Sequence, residues 1–103
     1  KRWIAFGSVP HGRLTIDDGA WSALVKRGKS LLPSGVIAVE EEFERGDVVA
    51  VITSEGAEIA RGIVNYSAEE IKLIAGHKSG EISKILMAKD YDEVIHRNNL
   101  WVK

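Results

Sequence analysis

The sequence predicts a mainly β fold with short helices (α+β), arranged as a small mixed barrel of about five to six strands. Short apolar runs that suit strands recur between glycine-containing turns, and capped helical segments lie among them. The length of 103 residues leaves room for one hydrophobic core. We therefore expect residues 1–103 to form a single domain.

The first predicted elements are a strand at residues 2–6 and a helix at residues 17–27. The apolar stripe of this helix, spaced i, i+3 and i+4, consists of Trp21, Leu24 and Val25. Thr15 and Asp18 have the spacing of a capping box at its start, and either Asp17 or Asp18 could cap the first turn instead. Gly28 suits the left-handed residue that ends a helix. The segment is thus predicted as a helix of about three turns that buries one face.

Strands are predicted next at residues 36–43, 48–52 and 58–66, as neighbours in a meander. In the first of them, the residues expected to be buried are Ile37, Val39 and Phe43, and those expected in solvent are Glu40 and Glu42. The second is apolar on both faces, which predicts a central strand covered on both sides. Gly62 in the third indicates a bulge or a close approach of another segment.

Helices and a final strand are predicted for the remainder of the chain. Residues 67–70 (SAEE) have the pattern of a capping box, and Gly76 ends the helix that follows. Ser79 is expected to cap a second short helix. Residues 94–96 and 100–102 are apolar runs on either side of an Asn-Asn pair, which predicts a terminal strand or hairpin.

The composition restricts the classes of function. The formal net charge is -1, whereas a dedicated nucleic-acid binder usually has a basic excess, so such a role would need a local basic patch. Cysteine is absent, which excludes disulfides and thiolate metal sites and fits a reducing compartment. No apolar run approaches the roughly 20 residues of a membrane span. We expect a cytoplasmic protein with no membrane partner.

The residue patterns do not predict a catalytic or metal site. Gly28-Lys29-Ser30 resembles the end of a P-loop, but Ala23 stands where that motif requires glycine, and a helix precedes it instead of a strand. The histidines, which lack the spacing of metal ligands, are His11, His77 and His96. The acidic run at residues 40–42 falls largely on a solvated strand face. We expect no catalytic residue, no metal and no cofactor in this chain.

One basic surface is a candidate for binding. Its cations lie around the first predicted helix and its following turn, and they are Arg13, Lys26, Arg27 and Lys29. Leu31 or Leu32 could add apolar contact beside these charges. The alternative is an ordinary solvated face with both leucines packed inward.

The order of these elements resembles a PUA domain, a small pseudo-barrel named for pseudouridine synthases and archaeosine transglycosylases. The motifs that carry the resemblance are Asp17-Asp18-Gly19-Ala20, the stretch at residues 28–36 (GKSLLPSGV), Phe43 and Gly46-Asp47-Val48. Further motifs resemble the C-terminal PUA domain of the bacterial glutamate 5-kinase family. These are Arg2-Trp3-Ile4, Ile59-Ala60-Arg61-Gly62, Asn65-Tyr66-Ser67, Ile74-Ala75-Gly76-His77, Glu81-Ile82 and His96-Arg97.

The resemblance implies a non-catalytic domain of a larger enzyme. Members of that family phosphorylate the side-chain carboxylate of glutamate with ATP and magnesium, the first step of proline synthesis, and proline inhibits them. Catalysis belongs to a separate N-terminal amino-acid kinase domain. The implied partner is therefore the kinase domain of the same chain, in a homo-oligomeric parent enzyme, and ATP and magnesium would bind outside these residues.

The resemblance also implies a binding surface. In RNA-modifying relatives, the glycine-containing helix start and the following turn contact RNA. The corresponding positions in this sequence are Arg13, Gly19, Arg27, Lys29, Ser30, Leu31 and Leu32. A regulatory or assembly surface facing the kinase domain and an RNA-binding surface both remain open.

Overall fold

The computed structural model describes Gly7 and residues 9–103, and the predicted strand at residues 2–6 lies outside that range. The strands are β1 (Gly12–Ile16), β2 (Val36–Glu40), β3 (Val48–Ile52), β4 (Glu58–Ile63) and β5 (Leu100–Val102). They form one mixed sheet in the order β2-β1-β3-β4-β5. The α-helices are α1 (Asp18–Arg27), α2 (Ala68–Ile74) and α3 (Ile82–Leu86). The predicted mainly β fold with short helices is confirmed.

Strand β1 was not predicted from the sequence. It lies between β2 and β3, antiparallel to the first and parallel to the second. Leu14 and Ile16 share one face of it and are buried, so the period-two signal of a half-buried strand is present. The signal was obscured because Thr15 was interpreted as part of a helix start; that interpretation is wrong, since Thr15 lies in β1 and Asp17 caps α1. Because β1 separates β2 from β3, the predicted meander is wrong at that step and holds only for β3 and β4.

The predicted burial of β2 is also wrong. Val36 is buried, whereas Ile37 is 56% exposed and Val39 is only partly buried. In β1, Thr15 pairs with Ala38 but Ile16 pairs with Val36, so the ladder skips Ile37. This register shift breaks the regular alternation of buried and exposed residues at the start of β2. Phe43 is buried as predicted, but it lies in the loop beyond β2.

Strands β3 and β4 match the prediction more closely. β3 is central in the sheet, and Val49, Ala50 and Val51 are all buried. β4 ends at Ile63, before the predicted residue 66. The backbone N–H of Val64 leaves the ladder and donates to the backbone carbonyl of Asp47 instead. Gly62 marks a close approach: an added Cβ would lie 2.8 Å from a methyl of Ile95.

The helix boundaries follow from their caps. The Asp17 carboxylate accepts the backbone N–H of Ala20 at 2.8 Å, and Gly28 ends α1 with φ 62°. The predicted capping box of α2 is present, with Ser67 and Glu70 each accepting the other's backbone N–H. Ser79 does not cap α3, because its hydroxyl donates to the carbonyl of Asp92 and a short 3-10 helix precedes α3.

The C-terminal segment forms a strand but not a hairpin. β5 pairs with β4, and Ile95 forms an isolated antiparallel bridge with Leu31. This bridge joins the segment after α1 to the end of the chain. Within the described residues, no helix has the length and apolar character needed to cross a bilayer.

Candidate ligand-binding cleft

A cavity of about 390 Å³ lies between α1 and the segment that follows it; we call it the α1 lobe. From α1 and its cap, the lining residues are Asp17, Gly19, Ala20, Ala23 and Arg27. From the following segment they are Lys29, Ser30, Leu32, Ser34 and Gly35. The lining of the lobe therefore combines small apolar side chains with cations and hydroxyl groups.

The local sequence explains why the chain leaves a cavity here. Gly28 reverses the chain at the end of α1, and the Lys29 backbone N–H donates to the carbonyl of Ala23. Gly35 forms the opposite wall, where an added Cβ would lie 2.5 Å from the Cβ of Ala20. The Asp17 backbone N–H also donates to the carbonyl of Gly35 at 3.0 Å. The walls are thus fixed by backbone contacts at both ends of α1.

A second cavity of about 300 Å³ adjoins the first; we call it the Arg97 lobe. Its lining residues are Lys29, Ser30, Leu32, Glu93, His96 and Arg97. The first three of these also line the α1 lobe, so the two lobes form one cleft. The Ser30 hydroxyl oxygen accepts the backbone N–H of Arg97 at 2.8 Å, which ties the two segments together at this point.

The cations of the cleft lack the carboxylate partners that other arginines of the domain have. Arg13 and Arg45 hold carboxylates at 2.7–2.8 Å. Within the described part of the chain, Arg27, Lys29 and Arg97 form no ion pair, and all three are exposed. Since no internal carboxylate neutralises these charges, they are available to an anionic ligand.

The structure brings together most of the residues predicted as a binding surface. Those that line the α1 lobe are Gly19, Arg27, Lys29, Ser30 and Leu32. Arg13 and Leu31 are not in the cleft: Arg13 pairs with Glu40 beside the β1–β2 ladder, and Leu31 is fully buried. Lys26 lies over the Trp21 ring at 5.4 Å. Binding by the five cleft residues stays a prediction.

His96 and Arg97 were not predicted from the sequence to lie in this surface. They reach it because Ile95 pairs with Leu31, a contact between distant parts of the chain that leaves no local pattern. The only local sign was the similarity of His96-Arg97 to a family motif.

The carboxyl groups with perturbed pKa values lie outside the cleft. A hydrogen bond from Arg45 lowers the pKa of Glu70, and one from Arg61 lowers the pKa of Glu58. A hydrogen bond with His77 likewise lowers the pKa of Glu81. None of these three carboxyls lines either lobe, and each belongs to an ion pair. Among the described residues, no three His, Asp or Glu side chains are grouped so that they could hold a metal ion.

Gly28-Lys29-Ser30 does not form a phosphate loop. The motif follows α1 and leads into the Leu31 bridge, whereas a P-loop follows a strand and opens a helix. The Lys29 backbone N–H is used by the Ala23 carbonyl. That N–H is therefore not free to bind an anion in the cleft.

Comparison with known proteins identifies the domain. A family model described as "PUA domain" matches residues 12–86. The chain is 57% identical over 100 residues to a glutamate 5-kinase of Thermoanaerobacter sp. (strain X514), covering 97% of this chain and 27% of that protein. It is 55% identical over 102 residues to the glutamate 5-kinase of Geobacter sulfurreducens, covering 99% and 27%. The chain thus spans about a quarter of the length of these relatives.

A solved structure agrees with the family match. The crystal structure of a PUA domain from Aeropyrum pernix K1, solved as a tartrate complex, superimposes with a TM-score of 0.61 and 25% sequence identity. The match covers 84% of this chain and 41% of that one. The chain belongs to the PUA domain family.

Proposed function

We propose that this chain is the accessory PUA domain of a glutamate 5-kinase, and that it serves assembly or regulation of the kinase instead of catalysis. The observation that carries the proposal is the 57% identity over 97% of this chain to a glutamate 5-kinase of which it covers only 27%. Such a fraction is the size expected for one domain of a larger enzyme.

The cleft supports a role in binding. It presents cations without ion-pair partners beside apolar side chains. The carboxyl groups whose pKa values are lowered lie outside the cleft, in ion pairs. We place ATP, magnesium and glutamate in the remainder of the polypeptide, in a cytoplasmic homo-oligomer. The exposed cations Arg27 and Lys29 would then face either the kinase domain or another ligand.

The test uses the full-length polypeptide and a double variant, Arg27→Glu with Lys29→Glu. We expect the variant to keep glutamate-dependent release of ADP. The mass of the variant's oligomer, or the inhibition of the variant enzyme, should change. Lys72→Glu is the matched control, because Lys72 is exposed on α2 and lines neither lobe. A fall in turnover of about 100-fold or more with unchanged mass would contradict the proposal, since that is the effect of losing a group that acts in the transition state.

RNA binding is the second candidate function. The observation in its favour is that three unpaired cations, Arg27, Lys29 and Arg97, surround a cleft with the exposed apolar side chain of Leu32. Neutralising phosphates with cations makes RNA affinity fall steeply as salt rises. We expect salt-dependent RNA binding that Arg27→Glu and Lys29→Glu weaken and Lys72→Glu leaves unchanged. Absence of binding at low salt would argue against this candidate.

A further inference from the structure

We propose that residues 87–92, which we call the strap, open and close as one unit while the sheet and the cleft keep their structure. The strap connects α3 to the segment that leads into β5. It begins directly after residue 86, the last residue matched by the family model. The proposal goes beyond the function proposed above and does not depend on it.

The strap has no buried side chain. All six of its residues are exposed, including the large side chains of Met87 (86% exposed) and Tyr91 (46% exposed). A segment that opens locally is one with few buried apolar contacts, because its opening transfers little apolar surface to water. The closed position of the strap therefore depends mainly on polar contacts.

The first of these contacts is made by the hydroxyl of Tyr66. This hydroxyl accepts the backbone N–H of Tyr91 at 2.9 Å and donates to the carbonyl of the same residue. The two tyrosine rings also meet edge to face, with their centroids 6.0 Å apart. Each hydrogen bond contributes only modestly, since water replaces the strap groups when the strap opens.

Two further side chains hold the strap. Arg45 donates to the carboxylate of Asp90 at 2.8 Å, and the Ser79 hydroxyl donates to the carbonyl of Asp92 at 2.8 Å. The Arg45 and Asp90 side chains are about half exposed, at 43% and 56%, so solvent weakens their attraction. The pair of Lys89 with Asp92 lies within the strap and can survive its opening.

The two ends of the strap are held much more firmly. On the C-terminal side, Val94 is fully buried, its backbone N–H donates to the carbonyl of Leu31 at 2.8 Å, and its carbonyl accepts the N–H of Asn65 at 2.8 Å. On the N-terminal side, Ile82 of α3 is fully buried. Met87 begins the strap with φ 65°, which is unfavourable for a residue other than glycine. Opening should therefore start at Met87 and stop at Val94.

The open strap would change one surface of the domain and leave another intact. The Tyr66 hydroxyl, which is buried under the closed strap, would become accessible, and Arg45 would keep its pair with Glu70 alone. The cleft would keep its shape, because the segment that lines the Arg97 lobe follows the buried residue Val94.

The test is amide hydrogen exchange of this 103-residue chain, followed by NMR at several urea concentrations below the unfolding transition. The reporters are the amide of Tyr91 in the strap and the amide of Leu31, which donates to the carbonyl of Ile95 at 2.9 Å. We expect Tyr91 to exchange faster than Leu31 and almost independently of urea, because a local opening exposes little surface. Ser79→Ala and Asp90→Asn should each speed Tyr91 exchange about two- to tenfold.

Ile16→Val is the matched control, because Ile16 is buried in β1 and makes none of the contacts that hold the strap. It should speed the exchange of Leu31 about two- to tenfold and leave that of Tyr91 unchanged. If the control speeds Tyr91 exchange, or if both amides depend equally on urea, the strap opens only with the rest of the domain and the proposal is wrong. Unchanged Tyr91 exchange in both strap variants would overturn it as well. Thermal melting of each variant checks that the fold is kept.

Discussion

Replacing Gly35 with alanine should destabilise the domain and displace α1. The backbone of Gly35 is not in the left-handed region, so the substitution adds only a methyl group. That methyl carbon would lie 2.5 Å from the Cβ of Ala20. Because carbon atoms pack best at about 3.5–4.0 Å, α1 would have to move by roughly 1 Å or more. Gly35 therefore determines how closely α1 approaches the wall of the α1 lobe.

The expected cost is that of an overpacked contact, about 1–3 kcal/mol of unfolding free energy. For a domain of this size, it corresponds to a fall in melting temperature of roughly 5–20 °C. Urea denaturation and thermal melting of the 103-residue chain measure both quantities. Gly80→Ala is the matched control, since no heavy atom lies within 4 Å of its added Cβ. It should leave stability unchanged or raise it by up to about 1 kcal/mol.

A double variant tests the proposed collision directly. Ala20→Gly removes the opposing methyl and costs about 1 kcal/mol or less through helix propensity. The double variant Ala20→Gly with Gly35→Ala should be about as stable as Ala20→Gly alone, because no collision remains. If the two losses of stability simply add, contact between these positions does not explain the need for glycine.

Three further substitutions test other parts of the fold. Tyr66→Phe removes the hydroxyl that accepts the backbone N–H of Tyr91 at 2.9 Å and donates to its carbonyl, so denaturation should show a loss of about 1–3 kcal/mol. The Arg45 hydrogen bond lowers the pKa of Glu70, so its stabilisation is present above the unfolded pKa of about 4.3 and is lost as pH falls through the lower folded value. Glu70→Gln should flatten the acid side of the stability curve; an unchanged slope there would count against the pair. Met87→Gly should raise stability by up to about 1 kcal/mol, because Met87 has φ 65°, and a lower melting temperature would contradict this.

Local signals in the sequence predicted the elements that have local causes. Asp17 caps the start of α1, Gly28 ends it, and the capping box at residues 67–70 begins α2. Each of these contacts joins groups only a few positions apart, so it can be predicted from the sequence. The continuous apolar run of β3 correctly indicated a strand covered on both faces. The burial of β2 was not predictable in the same way, since it depends on a register shift in its partner β1.

The candidate site was predictable only in its first half. Gly19, Arg27, Lys29, Ser30 and Leu32 lie close together in sequence and line the α1 lobe. The Arg97 lobe depends on pairing of Leu31 with Ile95, which spacing along the chain cannot indicate. Arg13 was misplaced for a related reason: the register of β1 against β2 sets it opposite Glu40, which neutralises it.

The most direct test of a non-catalytic role compares glutamate-dependent ADP release by the full-length polypeptide and by this 103-residue chain. We predict turnover by the full-length protein, and none above the no-protein control for the folded chain alone. Turnover by the isolated chain, or a full-length protein that folds but does not act on glutamate, would contradict its assignment as the accessory domain of a glutamate 5-kinase.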